Sequence, residues 1–129
     1  MNKIIVEVSI GELLDKISIL EIKQEKIKDP EKLKFISNEH SILKNQLDIN
    51  VKPDEKVNKL FKSLKDINAK LWVIEDDKRQ CEKDKDFTEK FIKLSRDVHF
   101  LNDDRAKIKL QINNHTGSTI KEIKEYNSY

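Results

Sequence analysis

Arg105 occupies a position where the surrounding sequence predicts a hydrophobic side chain. The residues around it are spaced alternately three and four apart, which is typical of a helix packed lengthwise on another helix. This series is Phe87, Phe91, Leu94, Val98, Leu101, Arg105, Ile108 and Ile112. Because arginine stays protonated, a guanidinium on such a seam needs a carboxylate, a bound anion or an open edge beside it.

The use of arginine at this position is selective, since only Arg79, Arg96 and Arg105 among the 26 basic residues are arginines. No acid lies four residues from Arg105 on its own helix, and the preceding helix places no seam-facing carboxylate at its height. We therefore expect a bound anion as its partner, or a carboxylate of the first helix. The candidate partners are Glu12, Asp15 and Glu21. A register-fixing ion pair, a ligand contact and an exposed edge are the open interpretations.

A second polar group follows one flank of the same two helices. Asn68, Trp72, Glu75 and Arg79 succeed one another at helical spacing, and Arg96, His99, Asn102 and Asp103 do much the same on the facing helix. Convergent acids and amides beside a tryptophan are typical of a small-molecule cleft. The proposed ligand-binding residues are Arg105, Trp72, Glu75, Asp76, His99 and Asn102. A solvated, ion-paired edge with Trp72 covering the seam is the competing interpretation.

Several kinds of reactive site find no support in the sequence. With only Gly11 and Gly117, the chain has no glycine-rich phosphate loop. Its 3 histidines lack the spacing of zinc or di-iron motifs, so we expect no metal and no cofactor. Cys81 lies on an apolar seam without a basic neighbour, so we do not expect a nucleophile there. We interpret His40 as a hydrogen-bonded histidine of the core or of the seam edge, and Lys78 as a packed stem with its ammonium in water.

Long helices must position these residues. The 129 residues are 39% charged, with 2 Gly and 2 Pro, a composition typical of helical proteins. Hydrophobic periodicity predicts an all-α, antiparallel bundle of four helices in one domain, 1–129. The helices are expected at about 10–28, 30–49, 54–84 and 87–115. Ser9 and Glu12 match a capping box at the first helix, and Asp29 and Asp54 cap the next two.

For the two ends of the chain, the sequence is compatible with more than one structure. Residues 3–8 are β-branched and roughly alternating, which indicates a short β-strand. Because a lone strand is unstable, its partner would be the tail after Gly117 or the same strand of a second subunit. The tail 118–129 fits that strand or a short helix containing Ile120, Ile123 and Tyr126.

The amino-acid composition also limits the kinds of binding partner and the cellular location that we expect. The 26 basic and 24 acidic residues are interspersed, and without a basic run we do not expect nucleic-acid binding. A single cysteine, no membrane-spanning run and no signal peptide indicate a cytoplasmic protein. The first helix is apolar over more than one stripe, so it lies either at the centre of the bundle or against another subunit.

Three motifs carry a resemblance to a known family. They are IVEVSIGELLDKI at 5–17, LWVIED at 71–76 and NDDRAKIK at 102–109. Through them the chain resembles a family of small bacterial and phage proteins of uncharacterised function, which implies no mechanism. The run 100–113 is similar to the first helix of all-helical chorismate mutases, whose pocket Arg would correspond to Arg105. The Lys that follows in that family is replaced by Thr116.

Two functional hypotheses follow. The first is a self-associating interaction or accessory protein without catalytic activity, most simply a homodimer, because the first helix has a broad apolar face and the N-terminal strand lacks a partner. The alternative is a protein that binds an anionic small molecule at an Arg105-centred pocket, or a small chorismate-mutase-like enzyme. An ion pair closed onto the first helix favours the first hypothesis, and an open cleft holding an anion favours the second.

Overall fold

The computed structural model describes residues 2–125 and 127–128. It contains four helices: α1 Ile10–Lys26, α2 Pro30–Asn50, α3 Glu55–Asp84 and α4 Glu89–Thr116. These bounds lie within two residues of the predicted ones, and the bundle agrees with the predicted architecture. The side chains of Ser9, Asp29 and Asp54 accept backbone N–H groups at the starts of α1, α2 and α3, as their residue types predict.

The hairpin of α3 and α4 is the longest unit of the fold. The chain reverses at Lys85, whose φ of 55° lies in the left-handed region, and α4 ends at Gly117 with a φ of 69°. The two helices therefore run antiparallel and contact each other extensively. At the turn, the stretch 80–95 contains a single buried residue, Cys81.

Helix α1 lies at the centre and contacts each of the other three helices. Leu14 belongs to a core cluster that also contains Val57 and Leu64 of α3 and Ile112 of α4. Eight α1 residues are buried, which explains why apolar residues occupy most of its circumference. They are Gly11, Leu13, Leu14, Asp15, Ile17, Ser18, Leu20 and Ile22.

Helix α2 packs along α1 and has no buried residue. One side of it is half-buried, and near its end Leu47 reaches the core cluster. On the opposite side Phe35, Ile42 and Ile49 are exposed by 78%, 55% and 68%. This helix is therefore an outer layer with apolar residues on both of its sides.

The predicted strand at residues 3–8 is wrong. No residue of the described chain forms a strand, and Ile4 and Ile5 lie almost fully exposed. The pattern expresses local β preference, but a strand also needs a second backbone to pair with. The described part of the tail after Gly117 is irregular and does not supply one. Tyr126, which the alternative tail helix would include, lies outside the described residues.

The tail instead fastens onto the start of α1. Ser118 Oγ accepts the Ile10 N–H at 3.2 Å, and Ser9 Oγ donates to Glu122 Oε1 at 2.6 Å. Burial raises the pKa of Glu122, but the hydrogen bond from Ser9 and further favourable contacts outweigh it, so the pKa is lowered. Its side chain therefore remains a carboxylate that holds the tail in place.

Candidate functional site

The centre of the site is an ion pair between Asp15 of α1 and Arg105 of α4. Asp15 has a side chain only 1% exposed. Arg105 Nε donates to its Oδ1 at 3.0 Å, and Arg105 Nη2 donates to Oδ2. The guanidinium therefore holds the carboxylate with two parallel hydrogen bonds, the geometry that suits arginine better than lysine.

Two neutral side chains and the Lys109 ammonium, 3.9 Å from Asp15 Oδ2, complete the environment of Asp15. Asn68 Nδ2 donates to Asp15 Oδ1 and to Ser18 Oγ, both at 2.8 Å. Ser18 Oγ in turn donates to the Asp15 backbone carbonyl at 2.7 Å. Among the described residues, no buried side-chain nitrogen or oxygen lacks a hydrogen-bond partner. The network is thus closed, which is the condition under which a buried charge is tolerated.

The electrostatics keep both members of the pair charged. Burial raises the pKa of Asp15, but hydrogen bonds from Arg105 and Asn68 outweigh it, and the net pKa lies below its ordinary value. The hydrogen bond with Asp15 raises the pKa of Arg105. The positive charge of Arg105 is therefore neutralised within the protein.

Beside this pair lies an open cavity of about 410 Å³ between α1, α3 and α4. Such a volume is within the range of small-molecule sites. Its lining combines an apolar part with amides and four charged side chains. The lining residues are Ile19, Ile22, Asn68, Leu71, Trp72, Glu75, Asp76, Arg79, Asn102 and Arg105.

The structure brings five of the six proposed ligand-binding residues to this cavity. These five are Trp72, Glu75, Asp76, Asn102 and Arg105. Arg105 Nη1 also donates to Asn102 Oδ1 at 3.4 Å, which links the cavity to the buried pair. His99 does not line the cavity; its ring packs edge-on against Phe100 with a centroid distance of 4.4 Å.

The three carboxylates proposed as partners of Arg105 have different roles. Asp15 pairs with Arg105, whereas Glu12 accepts a hydrogen bond from Lys109 at 2.5 Å. Glu21 lies 3.1 Å from His40 Nε2 and accepts from Lys65 at 3.3 Å. The capping box at α1 is therefore incomplete, since Ser9 caps the helix while the Glu12 carboxylate turns to Lys109.

The other polar seam residues lie close to where the sequence placed them. His40 is hydrogen-bonded at a half-exposed edge, as predicted. The ammonium of Lys78 lies 5.8 Å from the centre of the Phe91 ring, a cation–π contact that the sequence analysis did not include. Cys81 is buried.

Sequence reasoning missed two parts of the site. Ile19 and Ile22 line the cavity only because of how α1 crosses the hairpin, which no local pattern specifies. At Gly11, an added Cβ would lie 2.6 Å from the Lys109 carbonyl oxygen. Its N–H donates to Asn113 Oδ1 at 2.7 Å. A glycine in the first turn of a helix was the available signal for this close approach of α1 and α4.

The rim of the cavity differs from its buried side. Glu75, Asp76 and Arg79 are exposed, and none has an ion pair or side-chain hydrogen bond with another described residue. Glu75 and Arg79 are four residues apart, a spacing at which ion pairs often form, but these two side chains do not pair in the structure. Because they have no partner among the described residues, their charges are available to a molecule in the cavity.

Comparison with known protein families finds a match. The model of a family of unknown function, DUF6165, matches residues 4–129. The chain belongs to this family. Membership of an uncharacterised family, expected from the sequence motifs, is thereby confirmed. No curated protein and no solved structure matches the chain.

DUF6165 is a family of unknown function, so membership assigns this chain no activity. Within the described residues, no helix is long and apolar enough to cross a membrane. Nor do the described His, Cys, Asp and Glu residues form a group of three or more that could hold a metal ion.

Proposed function

We propose that this DUF6165 protein is a self-associating interaction or accessory protein without catalytic activity, and that it forms a homodimer. The observation that carries the proposal is the outer side of α2, where Phe35, Ile42 and Ile49 are exposed. Exposed apolar residues that recur on one helix face are characteristic of association surfaces. We also propose a cytoplasmic location, which the single cysteine favours, and a bacterial or phage origin, which the resemblance of the three motifs implies.

The outer side of α2 has the spacing of a coiled-coil seam. Phe35, Asn38, Ile42, Asn45 and Ile49 alternate by three and four residues, and all five are exposed. A second series with the same spacing faces α1 and is half-buried. It consists of Leu33, Ile36, His40, Leu43 and Leu47. Helix α2 therefore has two seams, of which one is occupied by α1.

The composition of the outer seam favours a second copy of the chain as its partner. An Asn side chain both donates and accepts hydrogen bonds, so Asn38 and Asn45 can pair with the same residues of an identical helix. Such paired amides satisfy each other's hydrogen bonds in the interface, which an apolar partner surface would leave unmade. In a parallel pair, Lys34 would lie beside Glu39 of the second copy, which is a favourable charge arrangement.

Substitution of the central seam residue tests this proposal. By light scattering we expect the wild type to be a dimer and Ile42→Glu to be a monomer with an unchanged helical spectrum. Ile92→Glu is the matched control, because Ile92 is exposed by 54% and Ile42 by 55%. The proposal is wrong if the wild type is strictly monomeric at high concentration, or if only Ile92→Glu dissociates it.

The cavity supports a second candidate function, the binding of a small molecule. The observation in its favour is that five of the six residues proposed from the sequence line one cavity. An anionic substrate, or chorismate-mutase-like chemistry, would need several free cations. Arg105 is neutralised by Asp15, which leaves Arg79 as the cation of the lining that has no partner among the described residues. We therefore propose binding without catalysis, which ligand-dependent changes in Tm would detect.

A further inference from the structure

We infer that the cavity binds a small zwitterion of the amino-acid class. Its ammonium group would lie between Glu75 and Asp76, near the face of Trp72, and its carboxylate would meet Arg79. This inference rests on the second candidate function, small-molecule binding, and is independent of dimer formation.

The charges of the cavity lining favour a zwitterionic ligand. The Asp15–Arg105 pair contributes no net charge, because both members are ionised and joined by two hydrogen bonds. Glu75, Asp76 and Arg79 are then the charged lining residues without a partner among the described residues. Two acids and one base favour a ligand with a cationic group, and a second, anionic group would balance the base.

The positions of these charged side chains also favour a small ligand with an ammonium group. Trp72, Glu75, Asp76 and Arg79 lie within about two turns of one face of α3, so a small molecule can contact all four. An indole face attracts an ammonium group, and the two carboxylates strengthen that attraction. A ligand with only carboxylates would be repelled by Glu75 and Asp76.

The apolar part of the lining favours a ligand that also has a hydrocarbon or aromatic side chain. Ile22 and Leu71 are buried and Ile19 is half-buried, so they line the inner part of the cavity, whereas the charged rim is exposed. A hydrocarbon or aromatic side chain can pack there, while its amino and carboxyl groups remain at the rim. This division into an apolar wall and a few polar groups is typical of sites for small amphipathic ligands.

The experiment uses Trp72 as a built-in probe, because it is the only tryptophan in the chain. Three sets of compounds are titrated: the amino acids without indole absorption, the corresponding amines without a carboxylate, and the corresponding carboxylic acids without an amine. We expect a subset of amino acids to change the fluorescence saturably and to raise Tm. The corresponding acids should bind at least about tenfold more weakly, because they lose the contact with Glu75 and Asp76.

Two variants show where the ligand binds. The double variant Glu75→Gln, Asp76→Asn should weaken binding of the best amino acid at least about tenfold. Asp77→Asn is the control, since Asp77 is on the same helix with the same charge but does not line the cavity. It should bind like the wild type.

The outcomes separate the inference from the candidate function on which it rests. If carboxylic acids without an amine bind as tightly as the amino acids, the ligand class is wrong while small-molecule binding stands. Equal loss of affinity in the double variant and in Asp77→Asn also overturns the ligand class. If no compound changes Trp72 fluorescence or Tm, both the inference and the candidate binding function are wrong.

Discussion

Helices α1 and α2 are neighbours in the chain and each contains seven Leu, Ile or Phe residues, but their surroundings are opposite. In α1 eight residues are buried, including the charged Asp15, whereas none is buried in α2. Apolar content alone therefore does not decide which helix forms the core. The difference comes from the number of neighbours, because α1 contacts three helices and α2 mainly one.

The comparison also explains where polar residues are used. In α1 the buried polar side chains, Asp15 and Ser18, have partners on α3, α4 or their own helix. On α2 the exposed Asn38 and Asn45 interrupt an apolar series that no part of the described chain covers. One helix thus specifies the fold, and the other remains available for association.

The sharpest test of this comparison replaces one acid in each helix. Asp15→Ala leaves Arg105 without its carboxylate, so we expect the free energy of unfolding to fall by about 3–5 kcal/mol. Asp48→Ala removes an exposed acid of α2, 3.4 Å from Lys44, and should change it by less than about 0.5 kcal/mol. Urea unfolding measures both. Equal losses of stability in the two variants would show that the buried acid of α1 contributes no more to the fold than an exposed acid of α2.

An apolar pair tests the packing difference. Ile17→Ala creates a cavity in a fully buried position, which should cost about 2–5 kcal/mol. Ile42→Ala on α2 should cost less than about 1 kcal/mol at protein concentrations where the chain is monomeric, because little burial is lost. A larger loss at Ile42 than at Ile17 in such dilute samples would reverse the assignment of core and outer layer.

Gly11 tests how closely α1 must approach α4. In Gly11→Ala the new methyl group would meet the Lys109 carbonyl oxygen at 2.6 Å, and backbone cannot move aside as a flexible side chain can. We expect a loss of about 1–3 kcal/mol despite the better helix propensity of alanine. Ser41→Ala, at an exposed position of α2, should be neutral. Calorimetric Tm values compare the two, and an unchanged Tm for Gly11→Ala contradicts the close approach.

The smallest expected effect is a dependence of stability on pH. The pKa of Asp15 is lowered in the folded protein, so the unfolded chain takes up this proton more readily. Its contribution is complete above the unfolded pKa of about 3.9 and is lost as the pH falls through the lower folded value. The stability difference between wild type and Asp15→Asn should therefore narrow on acidification below about pH 4. A constant difference between pH 6 and 2 would contradict the lowered pKa.

Local signals in the sequence predicted most of the fold. Capping residues such as Ser9 and Asp54 located the helix starts, because caps act within one turn. The strand prediction failed because β-branched residues at 3–8 indicate a local preference and say nothing of a pairing partner.

The site was predicted in part for a related reason. Helical periodicity placed Trp72, Glu75 and Arg79 on one flank, and in the structure all three line the cavity. Periodicity could not supply Ile19, whose position depends on how α1 lies across the hairpin. The outer seam of α2 was also missed, because Asn38 and Asn45 conceal its spacing from a search for apolar residues alone.

The far end of the α3–α4 hairpin has a consequence for dynamics. Only Cys81 is buried in the stretch 80–95, whereas Leu64 lies in the core cluster formed with α1. Amide protons near the turn can then exchange with solvent through local fraying, while those around Leu64 require opening of the whole bundle. The protection of amide protons against exchange therefore increases along the hairpin, from the turn near Lys85 towards the residues around Leu64.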